Sequence, residues 1–600
     1  MGRVTDTITK RVRKHLTEIL LDSHSSSERS SRSGLAIQHV NFRWSYANDW
    51  DVAARNGMTL GEKRSSSSEW VCQEGITVCL YDPENPELGF GIGHAAHAAP
   101  LDISANSNGR ELDEINFLLR IACFRAAQDY DLQKHFRARA PWMKPQTFGP
   151  TPNVNFEDVR RGMRRQKAWE SAYFSLAKIV RKLTAQIRDL DPEWETIAGS
   201  FASGHVYNAH VRQVVVEVNS DKLGSESVNR RHLTTKMIHK WDQFGIISLY
   251  AQYLRDSIPD QVVRAHAPLI YPKDVNFRLL MANYFDRFIK NVDAFRLAEA
   301  LEPGTYLSLL RPAAASTYFH ESLYAHGIDG EEFINDRLAS LGRIGQKLSD
   351  YPFNVWVFGA QSRKHGGFGT SLFDDEGTPV KEVQVVSDGK LHNLLHSRRS
   401  AAYFETEPMG NMRMEYGTPR DAFFEFMYPF SSATLATVPQ PRTSFVSIEA
   451  SEGYSYPEDK LRVIARRIAR QRGRSSKYLE VIDINGGYTQ TDEGVWVGIS
   501  PFILLHDVRK NTVTPVRDVD IRSTLSGSLS GLIGLGEEAE YVYGICGSES
   551  GEVPETVSVP SALVDNITYV KHLEPIPPIP FPNSEDLDAF YDRKKSRVKF

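Results

Sequence analysis

A chain of 600 residues is about four times a typical domain of ~150 residues, so two to four domains are expected. Its composition, 41% hydrophobic, 24% charged and 10% aromatic, supplies a sizeable core and excludes disordered, collagen-like, coiled-coil and mucin-like chains. Seventy-one Lys and Arg against 75 Asp and Glu leave a net charge of −4, too balanced to draw nucleic acid or an acidic membrane to the whole surface. Cys72, Cys79, Cys123 and Cys546 are too few for a disulfide framework, the opening MGRVTDTITKRVRKHL lacks an apolar secretion signal, and Asp6 spoils a myristoylation motif. No run approaches the ~18 apolar residues of a membrane helix, so a cytoplasmic protein with no membrane and no nucleic-acid partner is expected.

In chain order, Ile8, Val12, Leu16, Leu20 and Leu21 predict a helix over 5–22, and the following SHSSSERSSRSG reads as a link. The β-type runs AIQHVNFRWSY and WVCQEGITVCLYD, with turn chemistry at DPENPELG, predict a small sheet over 36–92. Helices are expected over about 111–138 and 156–189, separated by Pro141, Pro145, Pro150 and Pro152. Arg160, Arg161, Arg164, Arg165 and Lys167 open the second helix, as a solvated face in preference to a phosphate contact. Strands over 198–218 and an amphipathic helix over 275–301 follow. After Gly304 a Pro312-led helix, PAAASTYFHESLYAH, precedes β-type alternation over about 354–450, a basic helix over 458–472 and strands to 573. The tail LEPIPPIPFPNS reads as polyproline-like, and no repeat of 20 to 50 residues is present, which excludes solenoids and propellers. The expected division is a helix and Ser-rich link (1–35), a mixed α/β domain (36–300), a helix plus β-rich domain (301–575) and a Pro-rich, charged tail (576–600). The fold class is α+β, with the C-terminal region a largely antiparallel barrel or sandwich.

Chemistry concentrates at His320 and Glu321, adjacent on the Pro312-led helix, with His326 six residues after the first His and Cys546 in the glycine-flanked run YGICGSESG. Two imidazoles and a thiolate are a zinc set that leaves a fourth position for water, and a neighbouring carboxylate can take that water's proton. At ~100° per residue, positions i and i+6 diverge by about 120°, so His320 and His326 converge only if the helix widens or ends between them. Gly327 makes such a break cheap. On spacing alone a His-Glu pair near another His is more readily read as chance or core packing.

A family resemblance begins at this motif. FHESLYAHGIDGEEF resembles the metal-site helix of the TldD/PmbA family, the modulator-of-DNA-gyrase peptidases, whose pattern is His-Glu-x-x-x-His followed by an acidic-Gly-acidic turn. In order, TSLFDDEGTPVKEVQVVSDGKLHNLLHSRRSAAYF (370–404), GNMRMEY (410–416), INGGYTQTDEG (484–494) and YGICGSESGEVPETVSVPSALV (543–564) are similar to further segments of that family. More weakly, 101–140 looks like a helix of its longer members. Carried over, the resemblance implies His320 and Cys546 as zinc ligands, Glu321 as general base and His326 as the second ligand. The chain departs from the pattern by one extra residue among Ser322, Leu323, Tyr324 and Ala325, and by Asp329-Gly330-Glu331 where the family has Glu-Gly-Asp. What it implies is a zinc metallopeptidase hydrolysing unfolded peptides or peptide-like amides, as a homodimer or a heterodimer with a second TldD/PmbA-family protein, the substrate adding a strand inside a chamber. The alternatives are a biosynthetic enzyme reusing the site on a small amide, and a catalytically inactive TldE-like partner subunit.

Other residues carry two readings. Asp374, Asp375 and Glu376 are an acid/base cluster or, preferred, a solvated turn before Gly377. Arg398 and Arg399 are a carboxylate clamp or a surface pair. His94 and His97 are expected in a loop. Cys72 and Cys79, seven apart in a strand region, fall on opposite faces and cannot share a metal. Arg462, Arg466, Arg467, Arg470, Arg472 and Arg474 read as the wet side of a covering helix.

Overall fold

Alternation along AIQHVNFRW sets the first sheet, sending Val40, Phe42 and Trp44 to one face and His39, Asn41 and Arg43 to the other. The structure, a computed structural model, describes residues 2–572 apart from 26–33, 65–70, 86–87, 101–109, 140–155, 158, 226–227, 256–257, 270–271, 325–326, 335–343, 359–367, 370–371, 415–438, 473–475, 491–492, 500 and 549. His326, the Ser-rich link, the Pro-rich tail and Arg474 therefore lie outside the described residues, as do the side chains of Cys72, His97 and the basic run 160–167.

The sheet runs Phe90–Pro100, Val71–Tyr81, Ala36–Arg55, Ile197–Val218, Leu233–Arg255 and Phe156–Glu157, with Met58–Arg64 and Ile258–Leu269 paired alongside. Its apolar face packs Phe42, Trp44, Val78 and Val214 against Val12, Leu16 and Leu20 of the helix Gly2–Ser23 and against Ile115, Leu118 and Ala122 of the helix Arg110–Arg139. The glycines of GFGIG explain how close that second helix comes: a Cβ at Gly91 or Gly93 would stand 2.1 Å from the Ala126 carbonyl oxygen or 1.9 Å from that of Ala122. The helix Val159–Arg188 covers the other end of the sheet with Leu176, Val180, Leu183 and Ile187. His94 sits in the strand Phe90–Pro100, its Nδ1 2.9 Å from the Thr77 hydroxyl. This corrects the expected loop; Gly91 and Gly93 beside it admit the helix.

The opposite face is polar and docks on the second half of the chain. Asn41 Nδ2 donates to the Asp375 carbonyl (3.1 Å), and Arg398 Nη2 donates to Glu217 Oε2 (2.7 Å), with His39 and Lys236 beside them. Asp374, Asp375 and Glu376 do form a turn before Gly377, but a buried one. Asp374 accepts from the amides of Glu376, Thr378 and Met412, and Asp375 from Met414. The solvated turn is thus corrected, because carboxylates saturated by backbone N–H groups can leave water. Arg398 and Arg399 are likewise neither a surface pair nor a free clamp: Arg399 faces Asp129 and Glu331 at 3.4 and 3.6 Å.

Among the described residues the second sheet has 14 strands, mostly antiparallel. Its spine is the strand Gly551–Lys571, which pairs in turn with Phe445–Ala450, Leu532–Ser548, Gly304–Leu310 and Val519–Thr524. Among the described residues it makes sandwich-like layers rather than a closed barrel. Tyr318, Phe319, Leu323 and Tyr324 fill its core among Val355, Val481, Trp496 and Val557. The helix Glu458–Gln471 covers an outer face with Leu461, Ala465 and Ala469, its Arg462 pairing with Glu480 and Arg472 with Asp565.

Candidate functional site

Pro312 occupies the first turn of the helix Pro312–Phe319, where its missing N–H costs nothing, and Ala314 and Ala315 let that helix lie deep in the core. The next five residues, His320–Tyr324, form a π turn. A π turn is how a helix absorbs one surplus residue. Here the buried Ser322 hydroxyl donates to the Tyr318 carbonyl at 2.6 Å, a back-bond that competes with the helical ladder. The widening therefore spans His320–Tyr324 and includes the His-Glu pair itself. By Gly327-Ile328 the helix has given way to a turn.

The final hairpin meets this turn. In its register Gly544 faces Glu555 and Cys546 faces Val553, so Cys546 and Glu555 share one face as diagonal neighbours. Glu555 Oε1 lies 2.7 Å from His320 Nδ1, an ion-pair contact without a well-directed ring N–H. Its Oε2 accepts from the Thr443 hydroxyl at 2.9 Å. Arg442 anchors the hairpin end, donating to the Cys546 carbonyl (2.5 Å), the Ser550 hydroxyl (2.8 Å) and the Gly551 carbonyl (3.3 Å). Tyr324 presents its ring edge-on to His320, centroids 5.1 Å apart.

Charges in this enclosure are mutually compensated. Burial alone would lower the His320 pKa, yet Glu555 and Cys546 hold it well above the ordinary histidine range. Burial alone would raise Cys546, yet Arg442 and His320 pull the thiol below its ordinary value. Glu555 is lowered in the same way by His320 and Thr443. Glu321 differs. It is buried, and burial raises its pKa against the opposing effects of His320 and Thr489.

Glu321 is held by the segment INGGYT. The Thr489 hydroxyl lies 2.9 Å from Glu321 Oε2 and 2.8 Å from its carbonyl oxygen, so one proton serves both. A Cβ at Gly487 would stand 2.7 Å from Glu321 Cγ and 2.9 Å from Oε1, so only glycine lets the strand Gly487–Gln490 pass here. Arg264, from the first sheet, reaches across to hold the preceding turn: its N–H donates to Asn485 Oδ1 at 2.7 Å and its guanidinium to the Asn485 carbonyl.

The structure thus brings together His320, Glu321 and Cys546, while His326 lies outside the described residues. Among the described residues no group of three or more His, Cys, Asp or Glu side chains is arranged to hold a metal ion. In donor chemistry His320 and Cys546, a nitrogen and a sulfur, suit zinc. Reading the sequence missed Glu555, Thr443, Arg442, Thr489 and Arg264. A signal existed for Glu555 alone, in the two-residue period that sets it on the face of Cys546.

Residues 303–428 match the PmbA/TldA metallopeptidase C-terminal domain. A metalloprotease of Methanothermobacter thermautotrophicus is 23% identical over 264 residues, 44% of this chain and 50% of the relative. A metalloprotease of Methanocaldococcus jannaschii is 27% identical over 143 residues, 23% of this chain and 31% of the relative. The chain thus spans half or less of the length of the curated relatives it matches. In fold it is similar to TldE from Thermococcus kodakarensis (TM-score 0.52, 13% identity, 89% of this chain and 96% of that one). It is also similar to a protein described as a modulator of DNA gyrase from Thermotoga maritima (TM-score 0.50, 12% identity, 92% and 100%).

Proposed function

Since the chain belongs to the TldD/PmbA family, we propose that it is a zinc-dependent peptidase that hydrolyses unfolded peptides or peptide-like amides. The observation that carries this reading is the carboxylate of Glu321, buried beside His320 and held by Thr489 of the strand Gly487–Gln490, with its pKa raised. Zinc would be held by His320, His326 and Cys546, and the chemistry it supplies when bound is Lewis-acid polarisation and a water pKa of about 7. Glu321 accepts the proton of the attacking water and delivers it to the leaving amine. Thr489 fixes Oε2, which leaves Oε1 as the atom that carries this proton. Among the described residues Gly487–Gln490 pairs with Val495–Gly498, and in this reading an extended peptide would add beside that hairpin by main-chain hydrogen bonds. The working unit in this reading is a dimer, of the chain with itself or with a second TldD/PmbA-family protein, in the cytoplasm.

A partner-subunit reading is favoured by one observation, the extra residue between Glu321 and His326 relative to the family's His-Glu-x-x-x-His spacing. Elemental analysis with a peptide-cleavage assay decides between them. Wild type is expected to carry about one zinc per chain and to cleave an unfolded peptide, whereas Glu321→Gln should keep the zinc and lose 10² to 10⁴ in rate, roughly 3 to 5 kcal/mol of barrier. A metal-free wild type would favour the partner subunit.

A further inference from the structure

We infer that Glu555 is the positioning residue for His320, its carboxylate holding the Nδ1 side of the imidazole so that Nε2 is the nitrogen presented to a metal. This rests on the zinc-peptidase reading above and adds to it a residue outside the His-Glu-x-x-x-His and Cys pattern.

Oε1 of Glu555 is 2.7 Å from Nδ1 of His320, which leaves one ring nitrogen unclaimed by the carboxylate. Glu555 is itself fixed from behind, since Oε2 accepts from Thr443 at 2.9 Å and the residue is only 4% exposed. Hairpin register makes the arrangement rigid: Val553 faces Cys546, and Glu555, two residues on, projects from the same face. One hairpin therefore delivers the sulfur donor and the carboxylate that aims the nitrogen donor, and Arg442 locks both by gripping the Cys546 and Gly551 carbonyls. A carboxylate behind a ligating histidine fixes the tautomer and raises the basicity of the other nitrogen, and losing such a partner costs 10- to 100-fold in metal affinity.

The π turn gives this device a reason. The turn that carries His320 is widened, so the helix alone does not set the direction of the ring. An ion pair from a separate element does. Tyr324, edge-on to the ring at 5.1 Å, limits its tilt from the other side.

The test is a zinc competition titration of the full chain against a chromophoric chelator, for wild type, Glu555→Gln, Glu555→Asp and Thr443→Val, with metal-free melting curves of each. Glu555→Gln is expected to bind zinc 10 to 100 times more weakly, Glu555→Asp to recover part of that loss, and Thr443→Val to shift the same way by less. Wild-type affinity in Glu555→Gln overturns the inference, as do equal losses in the Gln and Asp variants. Should Glu555→Gln not fold, Thr443→Val decides, unchanged affinity there overturning it. A wild type that binds no zinc removes the peptidase reading and this inference together, whereas tight wild-type binding with no change in the variants removes the inference alone.

Discussion

Cys546 is buried in a place that should protonate a thiol, and it is biased the other way because Arg442 and His320 both face it. A serine at that position keeps the shape and hydrogen bonding but offers a hard, protonated oxygen where zinc prefers sulfur. Cys546→Ser is therefore expected to lose most of the zinc found in wild type by elemental analysis, and equal metal content in the two would remove Cys546 from the ligand set. Glu321 works on the opposite principle. Its raised pKa places it nearer neutrality than a surface carboxylate, which is where a group that must both accept and return a proton is most effective.

At the scale of elements, the site is a meeting of three pieces: a widened helix end, a hairpin and a glycine-bearing strand. The strand is the least forgiving, since at Gly487 there is no room for a methyl group against Glu321. Gly487→Ala forces either Glu321 or the strand to move, and a misplacement of ~1 Å at a catalytic group can cost about 10² in rate. We expect that loss, together with about 1 to 3 kcal/mol of stability from overpacking, and unchanged zinc content, because the atoms nearest an added Cβ belong to Glu321 and Val497 rather than to His320 or Cys546. Peptide cleavage and thermal melting measure the two effects. Full activity in Gly487→Ala would mean that Glu321 can vacate its place without cost and is not the base. The helix Arg110–Arg139 shows the same logic away from the site, lying on Gly91 and Gly93 because no side chain stands between.

Across the whole molecule, the two halves meet through buried charge. Glu217, which burial would raise, is held well below the ordinary carboxylate range by Arg398 and His39. Its contribution is present above about 4.5 and is lost as pH falls. Glu376 is the reverse: burial and Asp374 push it up from 4.5 to about 8, so its contribution is complete below 4.5 and is lost as pH rises through 8. Glu217→Gln should then destabilise by about 3 to 5 kcal/mol at neutral pH and converge on wild type in acid. Glu376→Gln should match wild type near pH 4.5 and melt progressively higher than it toward pH 8. Melting curves across this range test both, and a Glu376→Gln difference independent of pH would show that its carboxyl is not neutral in the fold. Assembly belongs to the same scale. Light scattering is expected to find a dimer, alone or with a second TldD/PmbA-family protein, and a stable, active monomer would exclude it.

Local pattern by itself determined the elements whose cause is local. The amphipathic spacing of Val12, Leu16 and Leu20, the β-alternation of AIQHVNFRW and the Pro312-led start of the motif helix are each written within one turn or one pleat. The resemblance, spread over ordered segments, pointed to His320, Glu321 and Cys546, which the structure brings together, and the spacing of His320 and His326 called for a helix that either widens or ends between them. What only the tertiary structure decided is who faces whom. Whether Asp374, Asp375, Glu376 and Arg398 lie in water or between two sheets depends on docking a face of the first half against the second, which no local period encodes. The approach of Glu555 to His320 depends on a contact across more than two hundred residues of chain. Burial and ion pairing are properties of such encounters, and side-chain pKa follows them rather than residue type.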